Sequence, residues 1–142
     1  MKAGTGSATV LFLDANVLIS ASWKDSSEIS LLWTIEGVRL ITSNYVMGEV
    51  QRNLHQIIQI ERLRGLMRSV HVHSFASLPD LPDALALPVK DQPVLAAAIE
   101  AHADHLVSGD KKHFGPLYGK RIRGVRITAP SELLAVLRRR GS

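Results

Sequence analysis

The sequence predicts an α/β protein, a three-layer α/β/α sandwich with a mostly parallel central sheet. The order of apolar runs along the chain leads to this fold class, and the chain length indicates the number of domains. Short apolar runs, such as residues 10–13 and 105–108, alternate along the chain with longer stretches of helical periodicity, an order that is typical of βαβ units. The length of 142 residues is enough for one ordinary domain with its own core. We therefore expect a single domain over residues 9–140, preceded by a flexible lead at residues 1–8.

The first half of the chain predicts two strands and two helical regions. Residues 10–13 form a short buried strand. Residues 25–28 have the pattern of a capping box, with an acceptor side chain first and glutamate three positions later, so a helix should follow. Residues 38–42 form the next strand, and Ser43 is a suitable cap for the helix after it. Apolar residues at helical spacing between 44 and about 68 predict two helices or one broken helix.

The second half continues the alternation. Residues 70–75 alternate between apolar and polar side chains, which is typical of a half-exposed strand near an edge. Residues 77–88 contain three prolines and are predicted to form a loop. Asp91, followed closely by Pro93, predicts an N-cap acid for an alanine-rich helix at 94–103. The remaining predicted elements are a strand ending near Ser108, a basic loop, a final strand at 125–128 and a last helix capped by Ser131.

Composition limits the classes of function. The chain has no cysteine, so any metal must be held by oxygen or imidazole. No apolar run reaches the roughly 18 residues needed to span a bilayer, and the first residues lack a secretory pattern, so we expect a cytoplasmic protein with no membrane partner. The net charge is +4, and from Lys111 onward Glu132 is the one acid among many bases. This asymmetry favours a polyanionic partner, with an ordinary solvated surface as an equally weighted alternative.

Four acids lie where a fold of this class could gather them. Asp14 and Asp110 follow apolar runs, and the carboxyl ends of parallel strands meet at one edge of an α/β sheet. Asp91 opens a predicted helix, and Glu49 lies at the border of an apolar helical stripe. Carboxylates that lie close together repel one another, which is tolerated when a hard dication occupies the space between them. The set therefore predicts a Mg²⁺-dependent nuclease.

Taken singly, each acid also has a structural interpretation. Asp14 and Asp91 suit helix N-caps, and Glu49 suits an exposed helix surface. Asp110 lies in a sequence that is common in turns. Only the combination of the acids with the βαβα order points to a site.

Other polar residues are candidates for support around the acids. Asn16 and Ser108 each lie close in sequence to a site acid, so we expect them to orient ligands or water from behind, although turn formation is an alternative. Four side chains are candidate contacts for substrate phosphates by proximity in sequence: Arg52, Lys111, Lys112 and His113.

At these residues the chain resembles the PIN domain family, in particular the compact single-domain ribonucleases that include VapC-type toxins. The matching pieces, in the family's order, are residues 13–19, 48–50, 90–91 and 103–110. The resemblance implies an endoribonuclease that depends on Mg²⁺ or Mn²⁺ and cleaves RNA. It also implies a homodimer and, for a toxin, a small antitoxin protein that occupies the active-site groove. The family's metal-binding and catalytic acids correspond to Asp14, Glu49, Asp91 and Asp110.

Two positions depart from the family's pattern. Many relatives have a further acid or amide a few positions after the last aspartate, where this chain has Lys112 and His113, so a second metal ion is left open. Ser108 stands in place of the usual threonine and keeps the hydroxyl.

Two other functions are consistent with the same fold class. A non-catalytic RNA-binding or protein-binding module on the PIN fold would keep the acids for stability alone. A receiver-like signalling domain also has strand-end acids, but it needs a further acid pair near the first strand, and no acid precedes Asp14. A toxin and a housekeeping nuclease are both compatible with the residues.

Overall fold

A computed structural model describes residues 8–23, 28–83 and 85–140. Most of the predicted flexible lead, residues 1–7, lies outside the described residues. The same is true of residues 25–27, which carry most of the predicted capping box. In the part of the chain that is described, no helix is long and apolar enough to cross a membrane.

The centre of the molecule is a six-stranded sheet with the strand order β3-β2-β1-β4-β6-β5. Four neighbouring pairs are parallel, and only β5 runs antiparallel, beside β6. The predicted mostly parallel sheet is therefore confirmed. The strands are β1 (Thr9–Leu13), β2 (Val38–Ser43), β3 (Val70–His73), β4 (His105–Val107), β5 (Arg121–Ile122) and β6 (Val125–Thr128).

Helices surround the sheet and complete the predicted three-layer α/β/α sandwich. The α-helix α1 packs against α2 and α3, while α4 packs against β2 and β4. The α-helices are α1 (Ala15–Trp23), α2 (Asn44–Asn53), α3 (Ile57–Met67), α4 (Gln92–Glu100) and α5 (Pro130–Arg140). Three short 3₁₀ helices cover Ile29–Thr34, Val89–Asp91 and Gly115–Leu117.

The first strand lies at the middle of the sheet and forms the core of the fold. Leu11, Phe12 and Leu13 are fully buried, because a central parallel strand is covered on both of its faces. The strand pairs with β2 on one side and with β4 on the other. The strand order reverses at this point, so the carboxyl ends of β1 and β4 border a crevice of the kind in which α/β proteins bind their ligands.

Most predicted elements are present, with local corrections. Ser43 caps α2 as predicted, since its hydroxyl oxygen accepts from the backbone N–H of Val46 at 3.3 Å. The region from 44 to 68 forms two helices. The predicted helix after Glu28 is a 3₁₀ helix, and the basic loop predicted after Ser108 contains the short strand β5. The prediction that Ser131 caps the last helix was wrong, because α5 already begins at Pro130.

Candidate metal centre

Asp14 is held at the carboxyl end of β1. The backbone N–H of Asp14 donates to the carbonyl of Val107 at the end of β4, so the two strand ends are joined at this residue. Its side chain is only 4% exposed. One carboxylate oxygen, Oδ1, accepts from the backbone N–H of Ala15 at 2.8 Å, next to it in the chain. The carboxylate therefore sits buried at the crevice between β1 and β4.

Two polar side chains hold the other oxygen of Asp14. Ser108 donates its hydroxyl to Oδ2 at 2.8 Å, and the Asn16 amide donates to the same atom at 3.1 Å. The Asn16 side-chain oxygen accepts in turn from the backbone N–H of Gly109 at 2.7 Å. A Cβ at Gly109 would lie 3.3 Å from that oxygen, so glycine lets the turn approach Asn16 closely. These bonds tie the start of α1 to the turn after β4.

Asp91 enters the same region from the start of α4. Asp91 occupies the N-cap position of the alanine-rich helix, with Pro93 in the first turn, as predicted, but its side chain makes no capping hydrogen bond. That helix begins at Gln92 and ends at Glu100, earlier at both ends than predicted. Asp91 is only 6% exposed, and its Oδ2 lies 3.1 Å from Nδ1 of His113. The carboxylate is thus turned away from its own helix and toward the turn that follows Asp110.

Asp110 and His113 face each other within that turn. The backbone N–H of His113 donates to Oδ1 of Asp110 at 3.2 Å, and the His113 Nδ1 lies 2.9 Å from Oδ2. The next residue, Phe114, is fully buried and anchors the turn in the core. Possible ligand atoms of Asp91, Asp110 and His113 all lie within 4.8 Å of one another. This is the distance range in which three side chains can share one cation.

Glu49 reaches this region from α2 and lies at its partly exposed rim. Burial is the largest cause that raises the pKa of Glu49, followed by the negative charges of Asp14 and Asp91. The positive charges of Arg52 and Lys90 oppose that rise. The charges of Asp14 and Asp91 are therefore close enough to Glu49 to influence its pKa.

The remaining electrostatics point the same way. Burial raises the pKa of Asp14, against the hydrogen bonds from Ser108, Ala15 and Asn16, and the charge of Asp91 raises it further. Burial also raises the pKa of Asp91, while the charges of His113 and Lys90 lower it. Concentrating carboxylates in this way is unfavourable unless positive charge is added.

The donor set fits a divalent cation. Oxygen donors from aspartate and glutamate are the ligands that hard divalent cations take in proteins. Among the described residues, a carboxylate oxygen of Asp91 is buried without a hydrogen-bond partner, and it faces the other donors. Of the side chains that the structure describes, those close enough to share one ion are Asp91, Asp110 and His113. Asp14 and Glu49 lie outside that trio and are linked to Asp91 through its charge, while Asn16 and Ser108 hold the Asp14 carboxylate in place.

The structure also places the predicted phosphate contacts. Arg52 is exposed on the last turn of α2, close enough to Glu49 to affect its pKa. Lys111 and Lys112 are exposed in the turn after Asp110. His113 lies deeper than these lysines, against the acids themselves.

Two residues near Glu49 and Asp91 were not predicted as site residues from the sequence. Tyr45 lies one helical turn before Glu49, and its hydroxyl donates to the backbone carbonyl of Lys90 at 2.6 Å. The i, i+4 spacing on α2 is the signal that would have placed Tyr45 on the same face as Glu49. Lys90 adds positive charge next to Asp91, which its position in the sequence already indicates.

Comparisons with known proteins agree with this fold. A family model described as a PIN domain matches residues 10–112. Among solved structures, the chain is similar to one described as VapBC2 from Rickettsia felis bound to a DNA fragment from their promoter. That match has a TM-score of 0.60 and 16% sequence identity, and it covers 84% of this chain and 98% of the other. At this identity the likeness concerns the fold alone. No curated protein matches the chain.

Proposed function

Because the chain belongs to the PIN domain family, we propose that it is a metal-dependent endoribonuclease that hydrolyses RNA phosphodiester bonds. The observation that carries the proposal is that Asp91 and Asp110 lie within ligand distance of each other, while the Ser108 hydroxyl joins the Asp14 carboxylate to the Asp110 backbone. These acids come from elements far apart in sequence, and no single capping or turn role accounts for their meeting.

Mg²⁺ or Mn²⁺ is the proposed cofactor. When bound, such an ion supplies Lewis-acid stabilisation for the negative charge that grows on the phosphodiester during attack. The chain's own residues provide the rest. Asn16 and Ser108 keep the Asp14 carboxylate in one orientation, because each donates a hydrogen bond to the same oxygen. Glu49, which is partly exposed, would help to hold the ion or orient the attacking water.

The cations around the acids suit a polyanionic substrate. Four exposed cations lie close to the acids. Arg52 and Lys90 are close enough to Glu49 to influence its pKa, and Lys111 and Lys112 directly follow Asp110 in the chain. Phosphates attracted by these side chains would be drawn toward the carboxylates that hold the ion.

The direct test is cleavage of a mixture of structured and single-stranded RNAs with Mg²⁺, Mn²⁺ or a chelator. We expect cleavage in the presence of the ions and none with the chelator. Asp14→Asn should lower the rate by at least about a hundredfold, because it removes one charge from the ion site. Glu100→Gln is the matched control, since Glu100 is exposed at the far end of α4.

Undiminished cleavage by Asp14→Asn would remove Asp14 from the mechanism. A wild-type protein that binds RNA but never cleaves it would instead favour the non-catalytic binding module. A titration of thermal stability with Mg²⁺ checks the ion itself, because a ligand that binds only the native state must raise the melting temperature.

We also propose that the chain is the toxin of a toxin–antitoxin pair, cytoplasmic and homodimeric, with a small antitoxin as partner. The shared fold with a chain of VapBC2 supports this assignment. Induced expression should arrest growth, and Asp14→Asn should relieve the arrest. Normal growth under expression of an active nuclease would point to a housekeeping role. Light scattering coupled to size-exclusion chromatography measures the oligomeric state.

A further inference from the structure

The His113 imidazole is directed toward the acids and not toward solvent, where a side chain that binds substrate phosphates would be expected. Its Nδ1 is buried, and it lies 2.9 Å from Oδ2 of Asp110 and 3.1 Å from Oδ2 of Asp91. The turn fixes this placement, because the His113 backbone N–H donates to Asp110 and the adjacent Phe114 is buried in the core. The imidazole nitrogen therefore belongs to the same cluster as the two carboxylates.

The contacts of the His113 Nδ1 with the two carboxylates are short without being hydrogen bonds. Over the described ranges, the only buried side-chain polar atoms without a hydrogen-bond partner are Oδ2 of Asp91 and Nδ1 of His113. These two atoms face each other. A buried polar atom without a partner costs free energy, so two such atoms side by side need an explanation.

The separations match those between ligands that share one ion. Donor atoms about 2.0–2.2 Å from a first-row dication lie about 3 Å apart when they subtend a right angle at the ion. The Nδ1 atom lies 2.9 Å and 3.1 Å from the two carboxylate oxygens. A direct metal–nitrogen bond would also satisfy the buried Nδ1 and the buried oxygen of Asp91 together.

We propose that His113 is a metal ligand through Nδ1, so that the site has mixed nitrogen and oxygen donors and prefers a first-row transition dication over Mg²⁺. The proposal rests on the metal dependence proposed above and specifies which ion is bound. Mg²⁺ takes oxygen ligands almost exclusively, whereas imidazole strengthens binding of transition ions along the Irving–Williams order. An aspartate at this position would give an all-oxygen site with one more negative charge.

The first test is spectroscopic and does not depend on activity. Mn²⁺ is added to the wild-type protein, and electron spin echo envelope modulation is recorded on the complex. Coordination by His113 should give modulation from a directly bonded ¹⁴N nucleus. The modulation should disappear in His113→Asp and in His113→Asn, and it should persist in His55→Gln, a control at an exposed histidine between α2 and α3.

The second test compares affinities. Binding of Co²⁺ and Mg²⁺ to metal-free protein is measured by calorimetry for the wild type and for His113→Asp. The ratio of Co²⁺ affinity to Mg²⁺ affinity should fall at least about tenfold in the variant, because an imidazole donor is exchanged for a carboxylate. Circular dichroism of the metal-free proteins checks that each variant is folded, and His113→Asn serves if His113→Asp is not.

The outcomes separate this proposal from the function proposed above. If the wild type binds Mn²⁺ without ¹⁴N modulation, or the affinity ratio is unchanged in a folded variant, His113 is only a countercharge for the acids and the inference is overturned. If the wild type binds none of the three ions, the metal dependence itself fails, and the inference fails with it. Cleavage of RNA by such a protein would also contradict the metal-dependent function proposed above.

Discussion

At the scale of one residue, the buried Asp91 differs from an aspartate that caps a helix. An N-terminal aspartate in a helix normally accepts from the backbone N–H groups of the first turn. Asp91 makes no such bond, and its carboxylate is buried at the crevice instead. The fold therefore tolerates a buried charge that does nothing for the helix. In the absence of a cation, this charge should lower the stability of the native state.

Asp91→Asn should accordingly raise the stability of the metal-free protein at neutral pH. Burial raises the pKa of Asp91, with Asp110 adding to the effect against His113 and Lys90, so the folded protein binds the proton more tightly than the unfolded chain. The protonated Asp91 carboxyl contributes stability to the folded state below the unfolded pKa of 3.8, and this contribution is lost as the pH rises through the folded pKa. The amide carries no charge to desolvate, so we expect a gain on the order of 1 kcal/mol at pH 7.

Urea unfolding in the presence of a chelator measures this gain. The control is Asp83→Asn in the exposed loop before α4, which should change stability little. The gain should shrink as the pH is lowered toward the unfolded value of 3.8, because the raised pKa means that the folded wild type takes up the proton before the unfolded chain does. A loss of stability in Asp91→Asn at pH 7 would mean that the contact with His113 outweighs the cost of burial.

The individual residues of the site differ in how far the sequence could predict them. Asp14 and Asp110 follow buried strands, and the carboxyl ends of parallel strands lie at one edge of an α/β sheet, so the sequence alone predicts that the two acids are neighbours. Glu49 and Asp91 are helical residues, whose direction depends on how the helices pack. His113 depends on contacts between two segments far apart in sequence, and one chain without coordinates contains no signal for such a contact.

At the scale of elements, burial made the strands and most helices predictable. Continuous apolar runs identify β1, β2, β4 and β6, and helical spacing identifies α2. These patterns are informative because the apolar side chains that form them are the ones buried in the folded protein. Residues 29–34 have a helical apolar pattern, yet they form a 3₁₀ helix of six residues. The strand β5 has only two residues, and it exists by antiparallel pairing with β6, which a local pattern does not encode.

At this scale, the predicted helix caps can be tested by single substitutions. Ser43 is 1% exposed, and its side chain accepts the cap hydrogen bond of α2, the helix that carries Glu49. Ser43→Ala should lower the free energy of unfolding by about 1 kcal/mol, because the N–H of Val46 loses its partner in a buried setting. Chemical denaturation monitored by circular dichroism measures the difference.

Ser131→Ala is the matched control for this prediction. Ser131 was also predicted to be a cap, but it is exposed inside the first turn of α5. Its replacement should change the free energy of unfolding by less than about 0.5 kcal/mol. Equal losses in the two variants would indicate that the Ser43 hydrogen bond adds nothing beyond the loss of a serine.

At the scale of the whole molecule, the sheet separates two basic regions. Lys111 and Lys112 follow β4 at the carboxyl ends of the parallel strands, beside the acids. Arg140 instead donates to the Thr9 hydroxyl at 3.1 Å, at the amino end of β1. Arg123 lies in the turn before β6, also at that end. The basic character of the last thirty or so residues is thus divided between the site and the opposite edge of the sheet.

This division predicts how RNA binding depends on salt. Each phosphate contact with single-stranded RNA contributes about −0.7 to the slope of log K against log salt. In an Asp14→Asn background that prevents cleavage, replacing Lys111 and Lys112 by glutamine should therefore reduce the slope by about 1.4. Replacing Arg123 and Arg140 by glutamine removes the same charge from the opposite edge and should leave the slope nearly unchanged. Fluorescence anisotropy with a labelled single-stranded RNA, titrated between low and physiological salt, measures both. If the two double variants lose the same slope, RNA responds to net charge alone and does not engage the turn after Asp110.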